Sequence, residues 1–294
     1  MSKALTLTIV ANMTSNYSEG LGNIASVQKV FQQGKAFATR SRESLKNAIM
    51  VQSGMYDDLK TEINGATQKY VSEEMNATNT KALEGGYMTT RDTTYVRKSS
   101  FYLTDAVSCE PYVNESRFHT NLYMATNYAN SQGFNLQAAA KDSGLMPYQY
   151  EYDKSLKIYS LTIDLDMIGT DENFDSAEAD GEEKVDRVNS ILGAVENLSL
   201  VVKGNLDNAE PIFVVGGLTE RKTHYFENVV RVKQDRLVIT DDLKDKVSKG
   251  FSVGVLKCGL LENEGEICEQ FETKTVTAFF DDLKNEVKEY YGVK

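Results

Sequence analysis

The chain has 294 residues, 41% of them hydrophobic, with a formal net charge of -11, three cysteines and no tryptophan. That length suits one elaborated domain or two small ones with a real core. The apolar fraction excludes wholesale disorder, and no apolar run approaches the roughly 20 residues that span a bilayer.

The start, Met1-Ser2-Lys3-Ala4, lacks a signal-peptide layout and runs straight into a strand pattern over 4–13. A turn-rich stretch, Ser15-Asn16-Tyr17-Ser18-Glu19-Gly20-Leu21-Gly22-Asn23, follows. A helix is predicted over 41–53, then a polar surface lobe over 54–96, then a strand at 99–107. Residues 132–157 hold Gly133, Gly144, Pro147 and several tyrosines, a hairpin-like composition. Tyr148, Tyr150 and Tyr152 alternate, so an extended strand would put their rings on one face. They suit packing, an interface or stacking against bases. A strand at 159–167 alternates cleanly and should show one polar face. Seven carboxylates over 171–183 lack the ligand spacing of a calcium loop and read as a solvated loop. A helix at 184–200, a strand at 210–217 with Gly204-Asn205 and Gly216-Gly217 as turns at its ends, strands near 229–239 and 251–257, and a C-terminal amphipathic helix complete the chain. Cys109, Cys258 and Cys268 are odd in number and widely spaced. They read as reduced thiols in the cytoplasm, not as a disulfide framework or zinc site.

Charge is unevenly distributed. Residues 1–55 carry Lys3, Lys29, Lys35, Arg40, Arg42 and Lys46 against Glu19 and Glu43, a net of +4 on an acidic protein. This points to one local polyanion site. Within it, Ser41 suits a helix N-cap, and Leu45, Ala48 and Ile49 form an apolar stripe. Arg42 and Lys46 share another face. Backbone N–H groups, the Ser41 and Ser44 hydroxyls and the cations Arg40, Arg42 and Lys46 would converge as a phosphate seat. The same residues also suit an ordinary capped helix with solvated cations. Gly20 and Gly22 permit close backbone approach but form no Walker loop, because no Gly-Lys-Ser/Thr closes them.

Catalysis finds little support. His119 and His224 are the only histidines, and neither sits in a nucleophile-elbow setting. No catalytic residue, metal ligand or cofactor is expected.

Ser41-Arg42-Glu43-Ser44-Leu45-Lys46-Asn47-Ala48-Ile49 resembles the "SSQ-x-LKRA-I" helix start of the Cascade backbone subunits in type I CRISPR systems. Asn16 to Asn23 resembles the type I-B, DevR-like branch of that family, within the RAMP superfamily. Tyr159 to Gly169 and Gly204 to Gly217 add weaker matches in order. Glu43 departs from the pattern, which often has Gln there. The threaded order, strand–helix–strand–strand–helix–strand, is the ferredoxin-like one.

The resemblance implies an α+β fold with an RRM-like palm starting at 1–53. It places a finger-like insertion at 54–131 that includes the strand near 99–107. A thumb hairpin would occupy 132–157, and the rest of the palm and the C-terminal helix 158–294. It further implies a non-catalytic backbone subunit that polymerises along CRISPR guide RNA. The partners would be neighbouring copies of itself, other Cascade subunits and, through the guide, target DNA, with no membrane. Candidate RNA-binding residues are Asn16, Tyr17, Gly20, Gly22, Asn23, Arg40, Ser41, Arg42, Ser44, Lys46, Gly204 and Asn205. Two rival readings stay open. One is a type III-like subunit cutting target RNA through Asp142 or Asp153; the other is a DevR-type regulator of gene expression.

Overall fold

The computed structural model describes residues 3–17, 24–90, 93–138, 140–202 and 204–293. Strand β1 (Ala4–Thr14) is buried almost throughout. A hairpin of β2 (Lys29–Gln32) and β3 (Lys35–Arg40) leads into helix α1 (Arg42–Gln52). The strand predicted at 99–107 is split into β4 (Phe101–Leu103) and β5 (Ala106–Ser108). The break falls at Thr104, whose hydroxyl takes the Ser160 backbone N–H at 2.9 Å. Next come β6 (Ser116–Thr120), α2 (Leu122–Gln132), β7 (Pro147–Glu151) and the long β8 (Lys154–Asp164). Helix α3 (Gly181–Glu196), the hairpin β9 (Ser199–Val202) and β10 (Asn205–Asn208), and β11 (Pro211–Thr219) follow. The chain closes with α4 (Asp241–Val247), β12 (Ser252–Val255), α5 (Glu264–Gln270), β13 (Thr273–Lys274) and α6 (Val276–Tyr291).

This is a mixed α+β fold with one large sheet and six α-helices among the described residues. The sheet has nine strands in the order β13-β12-β11-β1-β8-β5-β3-β2, with β4 also pairing β8. β1 lies antiparallel to both long neighbours, with Ala4 opposite Asp164 on one side and Thr219 on the other. Gly216 is built into this pairing, because a Cβ there would lie 2.0 Å from the Thr6 carbonyl oxygen. Gly216 and Gly217 are therefore strand residues, not the turn expected of them.

Two cores clamp the sheet. On one face α1, α3 and α6 bury Leu45, Ile49, Ile191, Phe279 and Phe280 against Leu5, Leu7 and Leu161. Their periodic apolar stripes account for this packing. On the other face residues 221–271 bring Phe226, Leu243, Leu261 and Ile267 onto Val10, Phe213 and Val215. The polar face expected for β8 is consequently buried, as are the hydroxyl side chains of β1. Thr8 and Ser160 share a hydroxyl hydrogen bond at 2.7 Å, and Thr6 donates to the Thr223 carbonyl at 3.2 Å. Short hydroxyl side chains can satisfy one another across a strand pair, so an alternating polar pattern need not mean solvent.

The 54–97 insertion has its own small cluster, Ala77, Leu83 and Tyr87, and two hairpins, Thr61–Asn64 with Ala66–Lys69 and Tyr87–Thr89 with Tyr95–Arg97. The acidic stretch after β8 is less solvated than its composition suggests. Asp171 is buried and accepts from the Tyr87 hydroxyl and the Ala77 backbone N–H, while Asp180 caps α3 through the Glu183 N–H.

The hairpin expected at 132–157 takes its first strand from further upstream. β6 pairs β7, and α2 with its following loop lies between them in the chain. Gly133 ends α2 in the left-handed region at φ 72°, a conformation glycine adopts without a Cβ penalty. No helix of the described residues is long and apolar enough to cross a membrane.

Candidate nucleic-acid interface

The C-terminal end of β1 is a junction of polar side chains. Arg40, the last residue of β3, is 4% exposed. Its Nε donates to the Thr14 carbonyl at 3.0 Å and its Nη1 to the Ser44 hydroxyl at 2.8 Å. Its Nη2 is buried and has no hydrogen-bond partner among the described residues. A buried donor without an acceptor carries a desolvation cost, so this atom is suited to an oxygen supplied from outside the chain. Burial pulls the Arg40 pKa down to about 10, with the Asp207 carboxylate opposing that shift.

Asp207 organises the same corner. It accepts from the Thr14 N–H at 2.7 Å and from the Thr14 hydroxyl at 3.0 Å, and pairs with Lys154 at 2.6 Å. The hairpin that carries it has Gly204 at φ 78° in its turn, beside Asn205. Asp207, not Gly204 or Asn205, is the residue of this hairpin that touches the junction. Beneath it, fully buried Lys157 bonds Asp153 at 2.6 Å, and Asp153 also accepts from the Ser15 hydroxyl at 2.7 Å. Asp207 and Lys154 are not conspicuous in the sequence, because their partners lie far along the chain. The one available signal is a charged residue at an inward position of a strand.

Other expected contact residues fall close by. The Asn16 side-chain oxygen accepts the Ser41 N–H at 2.8 Å, fixing the start of α1. Ser41 caps that helix by accepting the Ser44 N–H. Tyr17 packs edge-on to Tyr150 at 6.1 Å, and burial together with the neighbouring Tyr150 pushes its pKa up to about 12. Arg42 is exposed, pairs with Glu43 at 3.0 Å and borders an open hollow of about 680 Å3 with Asp105 and Arg231. Gly20, Gly22 and Asn23 lie outside the described residues.

Two expectations need correction. The start of α1 is not an open anion seat, because Asp105 already accepts the Arg42 N–H at 2.8 Å. Lys46 does not join Arg40 and Arg42 in one seat. Its ammonium donates to the Gly85 carbonyl and the Ser99 hydroxyl, both at 2.8 Å, and lies 4.9 Å from the centre of the Phe101 ring. That side of α1 faces the 54–97 insertion.

The β6–β7 lobe adds aromatic surface. His119 stacks on Tyr148 at 5.4 Å and on Tyr150 at 4.9 Å. Tyr152 instead lies under the Arg117 guanidinium at 3.6 Å. His119 sits directly opposite Tyr148 in the strand register. Phe118, Tyr123, Met124 and Tyr128 are exposed nearby. Parallel rings and a guanidinium of this kind form a surface on which bases stack.

No curated protein matches the chain. Two solved chains, each titled a CRISPR RNA-guided surveillance complex, are similar in fold. One, described as pre-nicking, has a TM-score of 0.61 at 11% identity, covering 97% of this chain and 99% of the other. The second has a TM-score of 0.56 at 13% identity, covering 96% and 99%. A family model described as "CRISPR-associated negative auto-regulator DevR/Csa2" matches residues 5–238, the stretch that holds β1, Arg40, α1 and Asp207, and the chain belongs to that family.

Proposed function

We propose that this protein is a non-catalytic backbone subunit of a type I-B Cascade surveillance complex. Copies polymerise head to tail on a CRISPR guide RNA in the cytoplasm, beside other Cascade subunits, and target DNA is read through base pairing to the guide. The observation that carries this reading is the buried Arg40 guanidinium, with one unsatisfied N–H beside Asn16, Ser41 and Ser44. Such a donor holds a phosphate oxygen without reading sequence.

The sheet supports a ferredoxin-like palm. Its central strands run β11-β1-β8-β4/β5, the spatial order of a strand–helix–strand–strand–helix–strand unit. In this reading the 54–97 insertion is the finger, and the β6–α2–β7 lobe is the thumb that contacts a neighbouring copy. An acidic exterior limits unspecific nucleic-acid binding. Native mass spectrometry with guides of several lengths tests the proposal. Copy number should grow with guide length, and a number that ignores it would overturn RNA-templated assembly.

A further inference from the structure

The contacts that end at Arg40 begin at Asp207. β1 pairs with β8 along its whole length, so Thr14 stands opposite Lys154, but its pairing with β11 stops at Ala11, opposite Pro211. Proline has no N–H with which to extend that ladder. The Ser15 N–H turns to β8, onto the Asp153 carbonyl at 3.2 Å, so the Thr14 N–H points to the side that β11 has left. The Asp207 carboxylate, carried there by the β9–β10 hairpin, takes the place of the missing strand. Its Oδ2 accepts the Thr14 N–H at 2.7 Å and the Thr14 hydroxyl at 3.0 Å. The carbonyl of the same Thr14 accepts the Arg40 Nε at 3.0 Å, and the Met13 carbonyl before it accepts the Lys157 ammonium at 2.9 Å.

A neutral acceptor would be enough for Thr14. Lys154 is what requires a carboxylate, because its ammonium lies 2.6 Å from Oδ1 of a fully buried side chain. Donors on one oxygen and a cation on the other demand an acceptor at both positions. An amide offers one oxygen and an NH2 that only donates. Asparagine at this position would either turn its NH2 toward the Lys154 ammonium or release Thr14. Arg40 has no carboxylate in contact with it among the described residues, and its fork hangs on the Thr14 carbonyl and the Ser44 hydroxyl. A guanidinium held by two neutral acceptors moves when one of them moves.

We infer that Asp207 is a positioning residue for Arg40: by fixing the Thr14 peptide it sets the direction in which the unpaired Nη2 faces an incoming oxygen. The consequence for RNA rests on the guide-binding reading of Arg40, whereas the positioning itself is measured on the free protein. Charge alone predicts the opposite behaviour. D207N removes a negative charge beside a polyanion contact, which by itself would tighten RNA binding. Loss of position weakens it. The double variant D207N/K154M has the net charge of the wild type and lets the asparagine oxygen hold Thr14 with no ammonium beside its NH2.

The test uses the full-length protein. Without RNA, the arginine Nε–H signals are recorded by 15N-resolved NMR, and R40K identifies the Arg40 signal by its loss. In D207N this signal should shift and its hydrogen exchange should quicken about tenfold; both should return in D207N/K154M. With fluorescein-labelled guide RNA at fixed salt and pH, anisotropy should show about tenfold weaker binding by D207N and recovery to within about threefold of wild type in the double variant. T14V is an isostere that keeps the N–H bond and lacks the hydroxyl. It should show the same changes at about threefold, and it carries the test if D207N loses its native circular dichroism.

An unchanged Arg40 signal in natively folded D207N would overturn the inference. So would a loss that D207N/K154M does not reverse, or RNA binding by D207N as tight as wild type while R40K weakens it. Failure of the guide-RNA reading looks different: D207N moves the Arg40 signal, yet neither it nor R40K alters RNA affinity. That outcome would uphold the positioning and remove Arg40 from the RNA.

Discussion

The Arg187 guanidinium donates to the Glu84 carboxylate at 2.8 Å, and this bond ties α3 to the turn Lys81–Gly85 of the 54–97 insertion. Both side chains are about 1% exposed or less. The other Glu84 oxygen accepts from Arg97 at 3.0 Å and from the Ser100 hydroxyl, and the Gly169 N–H donates to the first at 2.7 Å. Arg97 in turn donates to the Met167, Thr170 and Leu83 carbonyls. One carboxylate therefore holds two buried guanidinium groups from separate parts of the chain.

Glu84→Gln should destabilise the protein by about 3–5 kcal/mol, because it leaves two buried cations facing a neutral amide. Urea unfolding measures this. A loss below about 1 kcal/mol would mean that the ion network does not hold the insertion to α3.

Arg40 should matter to RNA in a way that Lys46 does not. Arg40→Lys keeps a charge but loses the planar fork and should weaken RNA binding for every sequence alike. Arg42→Ala should reduce the magnitude of the salt slope by about 0.7. Lys46→Ala should leave the slope unchanged and lower stability by about 1 kcal/mol through two lost hydrogen bonds. Salt-dependent binding and urea melts of the three variants separate these outcomes. A slope that falls in Lys46→Ala would place that residue on the RNA after all.

Lys46 and Lys69 make stability depend on pH. Burial depresses both to about 8 from the ordinary 10.5, and each also feels a neighbouring cation, Lys69 for Lys46 and Arg97 for Lys69. Between about pH 8 and 10.5 the unfolded chain holds protons that the folded chain has released, so stability rises with pH in that window. Urea unfolding at pH 7.5, 8.5 and 9.5 should show the increase, and Lys69→Met should flatten it. A wild-type stability that falls over this range would contradict the account.

No RNA cleavage is expected. Asp153 is committed to Lys157 and Ser15. The assembled complex should be incubated with guide-complementary RNA and magnesium or manganese. Regularly spaced cuts that vanish in Asp142→Ala would make this a catalytic backbone.

Local signals carried much of the architecture. The apolar run in β1 and the stripes of α1, α3 and α6 predict those elements within a few residues, since burial period is written directly into the chain. The Ser41 cap was equally legible, because capping involves residues three apart. α2 was missed because Leu122 to Gln132 has few buried positions, only Ala125 and Ala129. The lobe's first strand was missed with it.

The sequence by itself determined where α1, α3, α6 and the long strands lie and that the stretch near the start is net positive, since both depend on neighbours in the chain. Only the tertiary structure decided which of those cations are free. Lys46 was drawn onto carbonyls of Gly85, some 40 positions away, while Arg40 was left with an unpaired N–H between Thr14 and Ser44. Pairing a buried charge depends on what folding brings within about 3 Å, and residues such as Asp207, 193 positions from Thr14, have no local mark of that role.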